Sequence, residues 1–220
     1  MLFIGFIVDD IKNELASVVH KTFSAAGLKP SIVVLNQIEY RGVQTIKQYL
    51  AELQKCEVDV VIFLIEFKQM LCKLPNDIQL DIIVSIGNLK NEAISLQQKE
   101  FIKQTYRRIR KQGVLIINGD DEDLPEIIRG LITHIVTYGF NPRATITASS
   151  VDDSMNGAHY IFCLQRTIWN IKGKKVEPHE FSVKLLKHSK KDVYNVLAIA
   201  GLGLVCGIDV NYIRNFLNEN

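Results

Sequence analysis

The sequence predicts an α/β fold: a mostly parallel sheet flanked by helices, with a small antiparallel β ribbon inserted late. Three observations carry this expectation. Apolar runs such as 58–65 and 80–86 alternate with segments whose apolar residues recur at helical spacing, the pattern of strands joined by crossover helices. Past Tyr138 the period shortens to that of strands, with turn residues between short β-prone runs. The 220 residues, 47% of them hydrophobic, suffice to bury a full core. The chain reads as a single domain, 1–220, with a parallel core over about 1–138 and 187–220 and an antiparallel subregion over about 143–186.

Taken in order, Leu2–Val8 is a buried strand. Leu15, Val18, Val19, Phe23 and Ala26 mark one face of a first helix, stopped by Gly27 and Pro30. Residues 31–35 form a strand, and Val43, Ile46, Leu50 and Leu53 repeat the helical pattern. The run 58–65 is apolar throughout, as a central strand covered on both faces must be. Residues 80–86 form another strand. Residues 96–112 predict a third helix, with Ile102, Tyr106 and Ile109 packed and Lys103, Arg107, Arg108, Arg110 and Lys111 on a solvated face. A short strand over 114–117 ends at Asn118-Gly119-Asp120-Asp121, a turn that supplies acidic residues to the next helix N-terminus. Strands over 144–151, 159–164, 167–171 and 181–186 follow, with turns at Met155-Asn156-Gly157, Gln165-Arg166 and Lys172-Gly173-Lys174. A buried helix rich in Ala, Gly and Leu spans 193–205, and Asp209 caps a short terminal helix.

Charge and composition narrow the function classes. Lys plus Arg number 26 against 24 acidic residues, and a net +2 argues against a dedicated nucleic-acid binder. The apolar amino terminus lacks a basic flank and meets Asp9 and Asp10 at once, which excludes a signal peptide or a membrane span there. Cys56, Cys72, Cys163 and Cys206 stand singly, without zinc or redox spacing, and predict buried free thiols in a reducing cytoplasm. The five histidines show no metal-site spacing. No nucleic acid and no membrane are expected as partners; a protein partner or a homo-oligomer stays open.

In an open parallel sheet the chemistry belongs in the loops leaving the carboxyl ends of strands, above all after the first. The framework is P-loop-like there, a strand, a turn and a helix. A phosphate cradle needs glycines whose amides converge on the anion, then Lys, then Ser or Thr for magnesium. The segment instead runs Val8-Asp9-Asp10-Ile11-Lys12-Asn13-Glu14. Lys12 is in place, yet no glycine lines the turn and Asn13 replaces the hydroxyl. Asp9, Asp10 and Glu14 put negative charge where phosphates sit, and two like charges 4 Å apart repel by ~4 kcal/mol at an effective dielectric near 20.

Three further segments give the chain a family resemblance. Asp59-Val60-Val61-Ile62-Phe63-Leu64-Ile65-Glu66, then Asn88-Leu89 followed by Glu92-Ala93-Ile94-Ser95, then the stretch from Gly113 to the end with Asn118-Gly119-Asp120-Asp121, Tyr138-Gly139 and Lys191-Asp192-Val193-Tyr194-Asn195 together resemble the ATP-binding central domain of the Mur ligases. Folylpolyglutamate synthetase and cyanophycin synthetase share that domain. The resemblance implies ATP and magnesium as cofactors, with Glu66 and Glu92 as metal ligands, Lys103 as a carbamylated ligand to a second magnesium, Lys12 on phosphate, and Asp192 and Asn195 on adenine. Several positions depart from the family. Ala93 replaces a metal-binding histidine, Asp192 an asparagine, and Lys191 a histidine. An ionised Asp accepts hydrogen bonds only, so Asp192 could face an adenine amino group but not its acceptor edge.

Each candidate also has a plain structural reading. Lys12 can be an exposed helix-start lysine, Glu66 a loop cap or a partner of Lys68, Glu92 and Lys103 solvated surface groups, and Asp192 a helix N-cap. The expected function is that of a degenerate Mur-ligase-like central domain without the family's flanking domains, non-catalytic and needing no cofactor, with a binding or assembly role linked to cell-wall or polymer synthesis. The alternative is an ATP- and magnesium-dependent amide ligase whose missing domains come from another chain. A scaffold that dimerises through its ribbon or a sheet edge is a third reading.

Overall fold

The apolar runs assemble around the first of them. The computed structural model describes residues 1–8, 13–35, 43–66, 74–75, 77–86, 95–154, 157–185 and 190–219. In it β1 (Leu2–Val8) lies between β3 (Val60–Glu66) and β4 (Leu80–Ile86), parallel to both, with Ile4 opposite Ile62 on one side and Ile82 on the other. β2 (Pro30–Val34) forms one edge beyond β3, while β5 (Ile109–Asn118) and β6 (His134–Tyr138) extend the parallel sheet beyond β4. β7 (Ile146–Ser154) joins β6 through the pair Tyr138 and Ile146; β8 (Gly157–Leu164) then runs antiparallel to it. β9 (Ile168–Trp169) and β10 (Lys175–Val176) make a separate two-stranded ribbon. β11 (His179–Leu185) returns antiparallel to β8, so the large sheet has the order β11-β8-β7-β6-β5-β4-β1-β3-β2.

Alternation along each parallel strand divides the core in two. On one face Phe6, Ile62, Val84 and Ile116 pack with α1 (Asn13–Ala25), α5 (Lys190–Cys206) and α6 (Val210–Glu219). On the other, Ile7, Phe63, Ile83 and Leu115 meet α2 (Val43–Lys55), α3 (Leu96–Tyr106) and the single turn α4 (Leu124–Ile127). All six residues from Val60 to Ile65 are buried, as expected of a strand covered on both sides. Ser95 starts α3 with a capping box: its hydroxyl accepts from the Gln98 amide, and the Gln98 side chain accepts from the Ser95 amide. Asp209 caps α6 through Asn211, as its position in the sequence predicts. Among the described residues no helix is long and apolar enough to cross a membrane.

The structure corrects several expectations. The helix expected over 96–112 ends at Tyr106, and β5 begins at Ile109. Leu80 pairs with Ile109 but Ile82 with Val114, so residues 110–113 bulge out opposite Asp81. Arg110 pairs with Asp81, whose other oxygen accepts the Phe3 amide, and at Gly113 a Cβ would lie 2.8 Å from the Asp81 carbonyl oxygen. These contacts across the sheet outweigh helix propensity, and the basic residues do not share one helix face. β6 had no counterpart in the sequence reading; its five residues were too few to show a strand period. The antiparallel strands β7, β8 and β11 prolong the main sheet, and only β9 and β10 form a ribbon apart. Of the four thiols expected to be buried, Cys206 is, Cys163 is half-buried, and Cys56 is exposed in the turn after α2, where Glu57 has φ 56°. Cys72 lies outside the described residues.

Candidate functional site

The chain leaves β1 for β2 at one edge, returns through β3, and crosses to β4 on the far side of β1. A parallel sheet opens a ligand crevice at the carboxyl ends of strands beside such a reversal. Val8, Glu66 and Ile86 end their strands there in register. Glu66 is half-buried, one strand spacing of about 4.8 Å from Val8 and hence from the start of the turn that follows it. Four residues, Asp9 to Lys12, join Val8 to Asn13, the first residue of α1. Lys12 and Glu92 themselves lie outside the described residues.

The other candidates are placed apart. Asn195 is half-buried near the start of α5, on the same carboxyl edge as Glu66 but beside the end of β5, three strands from β3. Asp192 is the third residue of α5, which sets it inside the helix and not at the N-cap. Lys103 is on α3, across the sheet from α5 and one turn from the end of a helix that leads into the amino end of β5. Its charged neighbour is Glu126. A hydrogen bond from Lys99, and then the charges of Lys99 and Lys103, hold the Glu126 carboxyl below its usual range. Lys99 bridges Asp123 at 2.8 Å and Glu126 at 2.9 Å. Glu66, Asn195 and Lys103 therefore do not converge on one point.

A different carboxylate organises the described part of this edge. Asp120, just past β5, accepts the Phe140 amide on Oδ2 at 2.7 Å, the Asn141 amide on Oδ1 at 2.8 Å, and the Tyr194 hydroxyl on Oδ2 at 2.7 Å. Burial, and then the Asp120 hydrogen bond and charge, push the Tyr194 phenol up. Gly139 makes room for this: it has φ 148°, and a Cβ there would lie 2.6 Å from Asp120 Oδ2. Phe140 meets Tyr194 edge to face, 5.2 Å between centroids. Three segments of chain thus close on one anion, fixing the start of α5, and Asn195 with it, against the ends of β5 and β6. Engaged by three donors, Asp120 serves as an anchor and not as a base.

Ser85, next to the last residue of β4, is held from both faces of the sheet. Its carbonyl accepts the Tyr138 hydroxyl at 2.8 Å, and its side chain hydrogen-bonds the buried Tyr106. The rim of the crevice is therefore rigid on the β4–β6 side. The sequence reading took Asn118 to Asp121 as a turn feeding a helix. Asp121 fits that role, accepting the Asp123 amide at 3.0 Å. The reach of Asp120 was missed. Its signal was a glycine, Gly139, directly after an apolar β-prone run and lacking any turn partner.

No protein-family model matches the chain. In sequence it is 22% identical over 211 residues to UDP-N-acetylmuramate–L-alanine ligase of Caldanaerobacter subterraneus, covering 94% of this chain and 42% of that protein. In structure it is similar to UDP-N-acetylmuramoyl-L-alanyl-D-glutamate–2,6-diaminopimelate ligase, with a TM-score of 0.74 at 14% identity, over 100% of this chain and 46% of that one. It is also similar to MurF of Acinetobacter baumannii, with a TM-score of 0.69 at 17% identity, over 99% of this chain and 46% of the other. The chain spans less than half the length of these proteins. Sequence and fold together make this chain a relative of the Mur ligases that carries, over nearly all its length, a fold found within those enzymes.

Proposed function

We propose that this chain is a non-catalytic form of the Mur-ligase central domain, a cytoplasmic protein that works by binding or assembly beside cell-wall or related polymer synthesis. The connection from β1 to α1 carries this reading. It is four residues long, Asp-Asp-Ile-Lys, with two acids and no glycine. The glycine nearest it, Gly5, sits in mid-strand, where a Cβ would come 2.7 Å from Leu80 Cδ1; its smallness serves strand packing, not a phosphate. A triphosphate needs several converging amides and a neutral or basic turn, so the residues present do not fit that group. The separation of Glu66, Asn195 and Lys103 supports the same reading.

The alternative, an ATP- and magnesium-dependent amide ligase completed by other domains, is favoured by Glu66 at the end of β3 beside that turn and by Asn195 on the same edge. Isothermal titration with magnesium and ATP separates the two. The proposal expects no binding at millimolar nucleotide. Micromolar binding that vanishes in Lys12→Ala would overturn it in favour of the ligase.

A further inference from the structure

The ribbon after β8 displays a surface that the fold does not use. Ile168, opposite Val176, is buried against the main core. The next pair, Trp169 opposite Lys175, points the other way, because side chains alternate along a strand. Trp169 is the single tryptophan of the chain and is 60% exposed; Ile171, two residues on, is 36% exposed. The backbone beneath them is well fixed. The Asn170 amide donates to the Lys174 carbonyl at 2.9 Å, and its Oδ1 accepts the amides of Lys172 at 3.0 Å and Lys174 at 2.9 Å. The Ile171 amide donates to the Val205 carbonyl near the end of α5, at 2.9 Å. A large aromatic on a fixed hairpin loses little conformational freedom when it docks, which is why such residues dominate binding surfaces.

The charges around it select a partner. Lys172 and Lys174 are exposed and make no ion pair among the described residues. Lys175 pairs with Glu177 at 2.6 Å, and Glu177 also accepts the Thr167 hydroxyl at 3.0 Å. We infer that the ribbon is a docking surface for an acidic protein segment, whose apolar side chain lies on Trp169 and Ile171 while its carboxylates meet Lys172 and Lys174. A second copy of the chain would bring the same lysines face to face across a symmetric contact, and like charges oppose that pairing. An anionic bilayer would meet Glu177, two residues from Lys175 and so on the Trp169 side of the ribbon. Two free lysines are also fewer than the roughly four to eight that mark lipid-binding clusters.

This surface rests on the binding role proposed above, and its test is separate from the nucleotide titration. The full chain is titrated with a dye-labelled, Glu-rich peptide bearing one central Phe. Anisotropy of the dye gives affinity, and emission of Trp169, unmixed with any other tryptophan, gives location. Saturable binding with a blue shift is expected, weakening as salt rises. The exposed double variant Lys172→Glu/Lys174→Glu should weaken it roughly tenfold. Trp169→Ala should weaken it roughly thirtyfold. Circular dichroism checks that both variants fold. The inference is overturned by no binding at millimolar peptide, by binding that both variants retain, by a shift given only by phosphatidylserine vesicles, or by self-association in sedimentation. Tight ATP binding beside an active ribbon would overturn the non-catalytic reading and leave the ribbon standing.

Discussion

The two halves of the sheet are built to different rules. From β2 to β6 the strands are parallel and carry helices on both faces, so consecutive residues such as Ile62 and Phe63 are buried in opposite clusters. From β7 to β11 they are antiparallel, and the buried residues Ile146, Phe162 and Phe181 all belong to one cluster, under α5 and α6. Along β11 buried and exposed positions alternate strictly, with Glu180, Ser182 and Lys184 turned outward. The difference lies in the connections. Crossover helices arrive with parallel strands and cover them, whereas short reversals bring no cover. One half spends its sequence on burial twice over; the other keeps a polar face.

The largest test compares neighbouring positions in the two halves. Ile62→Ala and Phe63→Ala should each lower the unfolding free energy by about 2–5 kcal/mol in urea titrations, although they point in opposite directions. On β11, Phe181→Ala should cost about 3–5 kcal/mol. Its neighbour Ser182→Ala should stay within about 0.5 kcal/mol. A large loss at Ser182 would mean that the outer face is covered after all, and the contrast would fail.

At the seam between the halves, Asp120→Ala removes three hydrogen bonds from a charged acceptor and should cost about 2–4 kcal/mol by the same measurement. Tyr194→Phe, which removes one of them, should cost about 1 kcal/mol. Equal losses from the two would mean that the amides of Phe140 and Asn141 find other partners.

The smallest effect concerns alkali and the doubly covered half. Burial pushes the Tyr106 phenol above its ordinary 10.0, the Ser85 hydrogen bond opposes that shift, and the charge of Asp121 adds to it. The folded chain therefore keeps a proton that the unfolded chain gives up. Stability from this group is complete below pH 10 and falls as pH rises further, by about 1.4 kcal/mol per pH unit. Buried Cys206 acts in the same sense, from its ordinary 9.0 upward. Unfolding followed from pH 9 to 12 should lose part of its slope in Tyr106→Phe. An unchanged slope would mean that Tyr106 ionises equally in both states.

Much of the parallel half was legible because its burial leaves no choice of residue. Leu2–Val8 and Leu80–Ile86 match the observed strands at both ends, since a run of seven apolar-rich residues bounded by polar ones admits little else. The failures fall where distant contacts decide. Ile109 joins a strand because Leu80 and Asp81 hold that stretch from a neighbouring strand, and no local pattern in Arg107 to Gln112 records it. β6 is too short for its period to emerge. In the site, the types of Glu66 and Asn195 could be read, but their separation could not, because it depends on strand order. Asp120 was seen as a turn residue because its partners lie 20, 21 and 74 positions further along.

That last separation bears on the order in which the molecule assembles. The β1–β4 core can gather from near neighbours while the ribosome is still at work, but the staple at Asp120 waits for Tyr194 to emerge. Until it does, the carboxylate and the loop it grips remain hydrated and the seam stays open. Closing that clasp is then a late, non-local step, and a chain truncated before the fifth helix should gather its first strands yet never set the rim of its own crevice.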